Sequence, residues 1–473
     1  MIKKKTPFVI ALLLSLLAAM ILPVTAYAET ADDWFSKSDY NDVASEAEDA
    51  VIRLEGGHGT LSDTTRGRSG NPVVINRKGV YRVTGQSSGV TIRIEEPKRS
   101  GNIYLILDNA QMTTAAAPCI EVLAAEKVIL QCVGENSLTS EAKKGAAVSS
   151  VDDLTINGSG SLRIESGKNG IHCRETLRIT GSGLTVQAEN DGIKGDLGVC
   201  IDGGSITVTK CYEGLEGGHV LIRSGELSIT ASDDGLNAAG DPETQGDVVI
   251  SGGRVYINAA GDAIDSNHSI LIEGGTTLVD GPANSRNSIF DKGDAPDAVL
   301  SVSGGTVLAV GSAEKAKNFK AGTQYSRLEP VSGHAGDVIS TDDGSGVTLT
   351  AAKDFGCVIY SSPSFTAGSR ILVSAQAETE EPPEAKPEWD TSVPAEITDE
   401  VRTLFDEAMK GLLGVNYEPL AVLAQQGETV CILCRASAVV PDAKSTYVLV
   451  FLSTENGSPV CEQISELPLD LAA

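Results

Sequence analysis

The sequence predicts an all-β protein: a right-handed parallel β-helix with a C-terminal β cap, followed by a small α+β C-terminal domain. Three observations carry that prediction. Apolar columns recur at an invariant internal spacing, Gly-rich corners separate the paired strands, and the 473 residues include 50 glycines but only 4% aromatics. Such a mixture suits turn-rich β structure better than a helical bundle.

The chain opens with Lys3, Lys4 and Lys5, an almost wholly apolar run from Phe8 to Leu22, and Ala26-Tyr27-Ala28. Basic start, apolar stretch and small-x-small flank read as a secretory signal peptide over 1–28. The run is short for an uncleaved anchor, and no other stretch is apolar enough to span a bilayer, so no membrane insertion is expected after cleavage. Loss of the three lysines takes the formal charge from -27 to -30. With 37 Lys plus Arg against 64 Asp plus Glu, the chain lacks the basic footprint that nucleic acid requires. Its 41% hydrophobic content excludes wholesale disorder. A leader, 29–50, precedes the repeats.

The β-helix is assigned to 51–321. Its first column holds Leu177, Val199, Val220, Val248, Ile270 and Leu300, and its second Ile179, Ile201, Ile222, Ile250, Ile272 and Val302. Seven residues after the first column come Leu184, Ile206, Leu227, Val255, Thr277 and Val307, then two further on Val186, Val208, Ile229, Ile257, Val279 and Ala309. Coil spacing varies through 22, 21, 28, 22 and 30, but the 7-residue offset is constant. Stacked coils explain this, because an insertion within the strand-corner-strand unit would shift every inward side chain out of its stack while an insertion in an outer loop would not. Glycine pairs such as Gly203-Gly204, Gly252-Gly253 and Gly274-Gly275 provide the corners. Less regular coils are traced through Val73 to Ile94, Ile103 to Val122 and Val128 to Val148. A sandwich gives no reason for aligned columns, and propeller blades are longer.

From Gly322 the repeat breaks, and 322–376 reads as a β-rich cap over an otherwise open ladder. An acidic Pro/Glu linker, 377–391, leads to the C-terminal domain, 392–473. There Ile397, Val401, Leu404, Ala408 and Leu412 form one helical face with Thr398 as N-cap, and three strands follow. Nine irregularly spaced cysteines fit a disulfide framework poorly; buried thiols are expected, with one disulfide left open.

The functional signal is an acidic ladder. Five residues beyond the fourth column stand Asn169, Asp191, Glu213, Asp234 and Asp262, and three residues later His172, Lys194, Glu216, Asn237 and Asp265, with Asp233 beside Asp234. Like charges about 5 Å apart repel by roughly 1 kcal/mol in water and several-fold more at an effective dielectric near 20. A cation removes that penalty, and oxygen ligands suit Ca²⁺. The expected calcium ligands are Asp191, Glu213, Glu216, Asp233, Asp234, Asn237, Asp262 and Asp265. The competing reading is that Asp-Gly and Asn-Gly are ordinary turns and the acids face water.

The Asp-Gly-Ile and Asp-Gly-Leu turns, Leu-x-Ile-x-Gly-Ser-Gly at 154–160 and the run from Asp262 to Gly281 resemble a bacterial extracellular carbohydrate-binding domain family with a polysaccharide-lyase-like β-helix. The resemblance spans roughly 50–373. It implies calcium in the Asp-Gly turns and binding of plant cell-wall polysaccharide, including acidic galacturonan. Position by position the calcium falls on Asp191, Asp234, Asp262 and Asp265, while Glu213 replaces the usual Asp, Asn169 lacks charge, and Phe290-Asp291 resemble a further family turn where the column register is lost. The C-terminal domain, with Gly414-Val415-Asn416-Tyr417, is similar to small cystatin-like domains but lacks an evident inhibitor loop.

Three functions compete. A secreted, non-catalytic binder would use calcium to bridge its carboxylates to uronates. A neutral glucan would prefer aromatic platforms, but Trp34 and Trp389 lie outside the repeats, leaving Tyr212 and Tyr256, which read more readily as packing residues. A calcium-dependent pectate lyase would need a base, for which Lys194 serves only if its pKa is lowered; otherwise it is a salt-bridging neighbour of Glu216. His172 reads as a hydrogen-bonded surface histidine. A surface scaffold or adhesin would hold structural calcium and find a cell-surface partner through its C-terminal domain.

Overall fold

The computed structural model describes residues 34–97, 100–240, 246–375, 390–412, 414–426, 429–439, 445–455 and 458–467. The expected signal peptide and most of the linker, with Trp389, lie outside them. No helix among the described residues is long and apolar enough to cross a membrane. The chain forms two compact units, 1–376 and 377–473.

The first unit is a parallel β-solenoid. A representative coil runs Leu154–Gly158, Ser161–Ser166, Asn169–Cys173, and the next Thr176–Ile179, Gly183–Ala188, Ile193–Gly195. First and second strands stack in a 20-stranded sheet and third strands in an 11-stranded one. Register follows the four columns: Leu177 pairs with Val199 and Val199 with Val220, and Leu184 pairs with Ile206 and Ile206 with Leu227. Alternation places these residues inside, where Leu177, Ile179, Val186, Ile193 and Val199 are fully buried. At the corners, Gly204 (φ +83) and Gly275 (φ +72) are left-handed, and a Cβ on Gly275 would lie 2.4 Å from the Gly253 carbonyl oxygen. Backbone conformation and coil spacing both demand glycine there.

The first coils differ from the sequence expectation. Ala50–Gly56 runs parallel to Gly79–Ser88, while Val73–Ile75 pairs with Ile92–Glu95. Val73 therefore closes the first coil, and the coil traced from Val73 to Ile94 is out of phase. An interposed antiparallel hairpin, Ala50–Gly56 with His58–Leu61, masks the period.

The leader crosses the outer face of the larger sheet. Fully buried Asp39 accepts hydrogen bonds from Lys127 Nζ (3.0 Å) and Thr155 Oγ1 (2.5 Å), and Arg82 donates to the Ala44 carbonyl at 2.6 Å. At the other end Cys357–Ser361 runs antiparallel along Thr306–Gly311, and Ser326–Glu329 pairs with it in turn. A core including Leu308, Val310, Ile339, Val358, Tyr360 and Phe365 seats this cap. All nine cysteines are unpaired and all but Cys461 are buried. Burial pushes Cys119 up to about 11 and Cys173 to about 12, which keeps both thiols protonated and inert.

The second unit packs helix Asp399–Ala408 on one four-stranded antiparallel sheet, Val415–Gln426, Thr429–Ala438, Thr446–Glu455 and Ser458–Glu466, so four strands stand where three were expected. Thr398 caps the helix by accepting the Val401 amide at 3.3 Å. Phe405 is the buried anchor against Ile432, Cys434, Val450 and Leu452. Leu412 lies past the helix end and is 47% exposed, a correction to the expected face.

Candidate metal centre

The turn from second to third strand builds the site. At each coil the residue after the acid donates its amide to the next coil's acid: Gly170 N to Asp191 O (2.9 Å), Gly192 N to Glu213 O (2.8 Å), Gly214 N to Asp234 O (2.9 Å) and Gly235 N to Asp262 O (3.1 Å). That backbone ladder fixes Asn169, Asp191, Glu213, Asp234 and Asp262 in one column. Gly170, Gly192, Gly214 and Gly235 are not left-handed. A Cβ on Gly214 would lie 2.3 Å from the Gly235 carbonyl oxygen, and one on Gly235 2.5 Å from that of Ala263. The acid-Gly pairs therefore answer to close coil packing, not to positive-φ turns, and the acids need their own explanation.

The third-strand register places His172, Lys194, Glu216, Asn237 and Asp265 in the second column. Three overlapping clusters result: Asp191, Glu213 and Glu216; Glu213, Asp233 and Asp234; Asp234, Asp262 and Asp265. Within each, carboxylate oxygens lie within 4.8 Å of one another. Asn237 joins them by donating to Glu213 Oε2 at 3.1 Å. All eight expected ligands are thus brought together.

The electrostatics are those of unneutralised charge. Burial first, and then the neighbouring carboxylates, push Asp191 up to about 6, Glu213 to about 7 and Asp265 to about 6. Burial also lifts Asp234 to about 7, despite the Asp262 amide donated to it, and raises Asp262. Carboxylates and an Asn amide make a hard oxygen set that fits Ca²⁺ better than a thiophilic metal.

Lys194 Nζ lies 2.6 Å from Glu216 and 3.9 Å from Asp191. Partial burial lowers its pKa, but the hydrogen bond and charge of Glu216 outweigh that and the net direction is upward. The lowered pKa that a lyase base requires is not found. His172 Nε2 pairs with Asp196 at 2.9 Å. Tyr256 packs against the cap, whereas Tyr212 is 48% exposed and engages Asp233, so it is not a packing residue. Trp34 meets His219, ring centroids 5.2 Å apart.

One feature was marked in the sequence only by resemblance, without its register, and one was not marked at all. The ladder keeps its register past Asp265, because Phe290 pairs with Ile264 and Asp291 with Asp265, while Ser288 takes the acid's place in the turn. Asp291 is paired with Lys317 at 2.8 Å. Asn190 binds Asp191 Oδ1 at 2.7 Å, and no periodic signal marks it.

A parallel β-solenoid carrying an acidic turn ladder is the class that fold and site define. The chain belongs to the family described as carbohydrate-binding domain-containing protein, whose model matches residues 69–239 and again 212–344. A carbohydrate-binding domain-containing protein of Acetivibrio thermocellus is 30% identical over 129 residues, covering 24% of this chain and 45% of that relative. The chain therefore spans less than half the length of this curated relative. Among solved structures, the polysaccharide lyase-like protein from C. thermocellum, a gadolinium derivative, is similar at 25% identity and TM-score 0.39, over 52% of this chain and 97% of that one.

Proposed function

We propose that this chain is an exported, calcium-binding, non-catalytic protein that recognises acidic plant cell-wall polysaccharide, with galacturonan as its ligand. The observation that carries the reading is the run of three overlapping, half-buried carboxylate clusters, in which burial raises the pKa of Glu213 and Asp234. Asp191, Glu213, Glu216, Asp233, Asp234, Asn237, Asp262 and Asp265 would hold the calcium. Bound there, calcium supplies positive charge and open coordination positions for uronate carboxylates on a chain that is otherwise strongly acidic. The signal-peptide reading of 1–28 supports export, and the C-terminal unit would be the part to engage a cell-surface partner.

The alternative of a calcium-dependent pectate lyase rests on Lys194. Its commitment to Glu216, and the upward direction of its pKa, favour the binder. Calorimetric titration with calcium, then with polygalacturonate with and without calcium, while absorbance is followed for unsaturated product, tests the proposal. Calcium-dependent binding without product supports it; product formation establishes the lyase, and failure to take up calcium refutes the metal reading.

A further inference from the structure

The three clusters differ in how far protein groups already satisfy them. In the first, Asp191 accepts Asn169 Nδ2 at 2.9 Å on Oδ2 and Asn190 Nδ2 at 2.7 Å on Oδ1, so both its oxygens are engaged. Glu216 Oε1 accepts Lys194 Nζ at 2.6 Å, and that ammonium also lies 3.9 Å from Asp191 Oδ2. Lys194 is itself held in place by the third-strand ladder, where it pairs with His172 on one side and Glu216 on the other.

The other two clusters have hydrogen-bond donors, Asn237 on Glu213 and Tyr212 on Asp233, but no paired cation. Among the described residues no Lys or Arg forms an ion pair with Glu213, Asp233, Asp234, Asp262 or Asp265. Asp234 and Asp262 each accept one backbone amide on Oδ1, from Asp262 and Ser288, which leaves the second oxygen of each.

We infer that Lys194 is a built-in counter-ion that fills the Asp191–Glu213–Glu216 cluster, so that calcium enters only the Glu213–Asp233–Asp234 and Asp234–Asp262–Asp265 clusters. The inference rests on the calcium reading proposed above and narrows it, taking Asp191 and Glu216, which occur only in the first cluster, out of the ligand set. A divalent ion among Asp191, Glu213 and Glu216 would sit beside the Lys194 ammonium and compete for the oxygen that the ammonium already holds. The ladder is then closed by lysine at both ends, with Lys194 at the first cluster and Lys317 on Asp291 beyond the last.

Equilibrium dialysis of the full chain against calcium, with bound metal counted by atomic emission, tests this. The expected result is two ions per chain in the wild type, two in Lys194→Arg, which keeps the positive charge, and three in Lys194→Met, which keeps an unbranched stem without it. Asp191→Asn is expected to retain two. A gain of metal on removing Lys194 is a result that a merely structural role for the lysine does not produce. Three ions in the wild type, two in Lys194→Met or fewer than two in Asp191→Asn overturns the inference while leaving the calcium reading intact. Zero ions in the wild type overturns the calcium reading and this inference with it.

Discussion

Asp234 belongs to two of the three clusters, so Asp234→Asn is the most informative perturbation of the ladder. Its carboxyl is raised from 3.8 to about 7. Some three pH units at about 1.4 kcal/mol each give roughly 4 kcal/mol, which relaxation and water entry reduce to about 2. Because the folded-state value lies above the unfolded one, this stabilisation is complete below about pH 4 and is lost as pH rises through about 7. Without calcium the wild type should therefore melt higher at pH 5 than at pH 8. Asn cannot ionise, yet its oxygen can still accept the Asp262 amide, which lies 2.7 Å from Asp234 Oδ1. In EDTA at pH 8 the variant should be stabilised by about 2 kcal/mol, near 3 °C in a chain of this size. Added calcium should raise the wild-type melting temperature and raise the variant's less. Thermal unfolding at the two pH values, with EDTA and with calcium, provides the readout. If Asp234→Asn destabilises the calcium-free protein at pH 8, or if the wild type is more stable at pH 8 than at pH 5 in EDTA, the reasoning fails.

Gly214→Ala, whose Cβ would meet the Gly235 carbonyl oxygen at 2.3 Å, should cost about 2–3 kcal/mol by urea denaturation, against almost nothing for Gly57→Ala, where the nearest atom is 3.9 Å away. Asp39→Ala should cost roughly 3–5 kcal/mol in the same assay, because it leaves Lys127 without its buried partner; a loss below about 1 kcal/mol would show that the leader does not fasten the solenoid. Phe405→Ala should cost the C-terminal unit about 3–5 kcal/mol, read as lost hydrogen-exchange protection in its four strands.

How much was legible follows from which interactions repeat. Leu177 through Leu300 and Leu184 through Val307 were readable because each coil applies the same steric test, and a misplaced residue would break a stack. The acidic columns were readable for the same reason, since their register is inherited from those strands. The first coil was not, because a hairpin inserted after Ala50–Gly56 obeys a local pairing. Phe405, four residues after Val401, was missed because the face was drawn through its neighbour Leu404, and that face was also carried to Leu412, past the helix end at Ala408. The partners of Asp191 and the upward pKa of Lys194 depend on distances within the turn, which spacing along the chain does not encode.

The ladder also bears on how an acidic protein would hold the acidic polymer proposed as its ligand. Among the described residues the seven carboxylates of Asp191, Glu213, Glu216, Asp233, Asp234, Asp262 and Asp265 have one ion-paired ammonium between them, that of Lys194. Two divalent ions would still leave this patch negative, so long-range attraction cannot bring in a uronate. Coordination can. Calcium takes about six to eight oxygens, whereas each cluster offers three carboxylates, two of them shared with a neighbouring cluster in the middle case. Under the calcium proposal, the remaining positions would be filled by water or by the carboxylate of a sugar. A neutral galactan presents only hydroxyls there and should bind far more weakly than galacturonan of equal length, with a gap that closes when calcium is removed. Equal binding of the two polymers in calcium would place recognition elsewhere on the solenoid, with exposed Tyr212 beside Asp233 as the first residue to test.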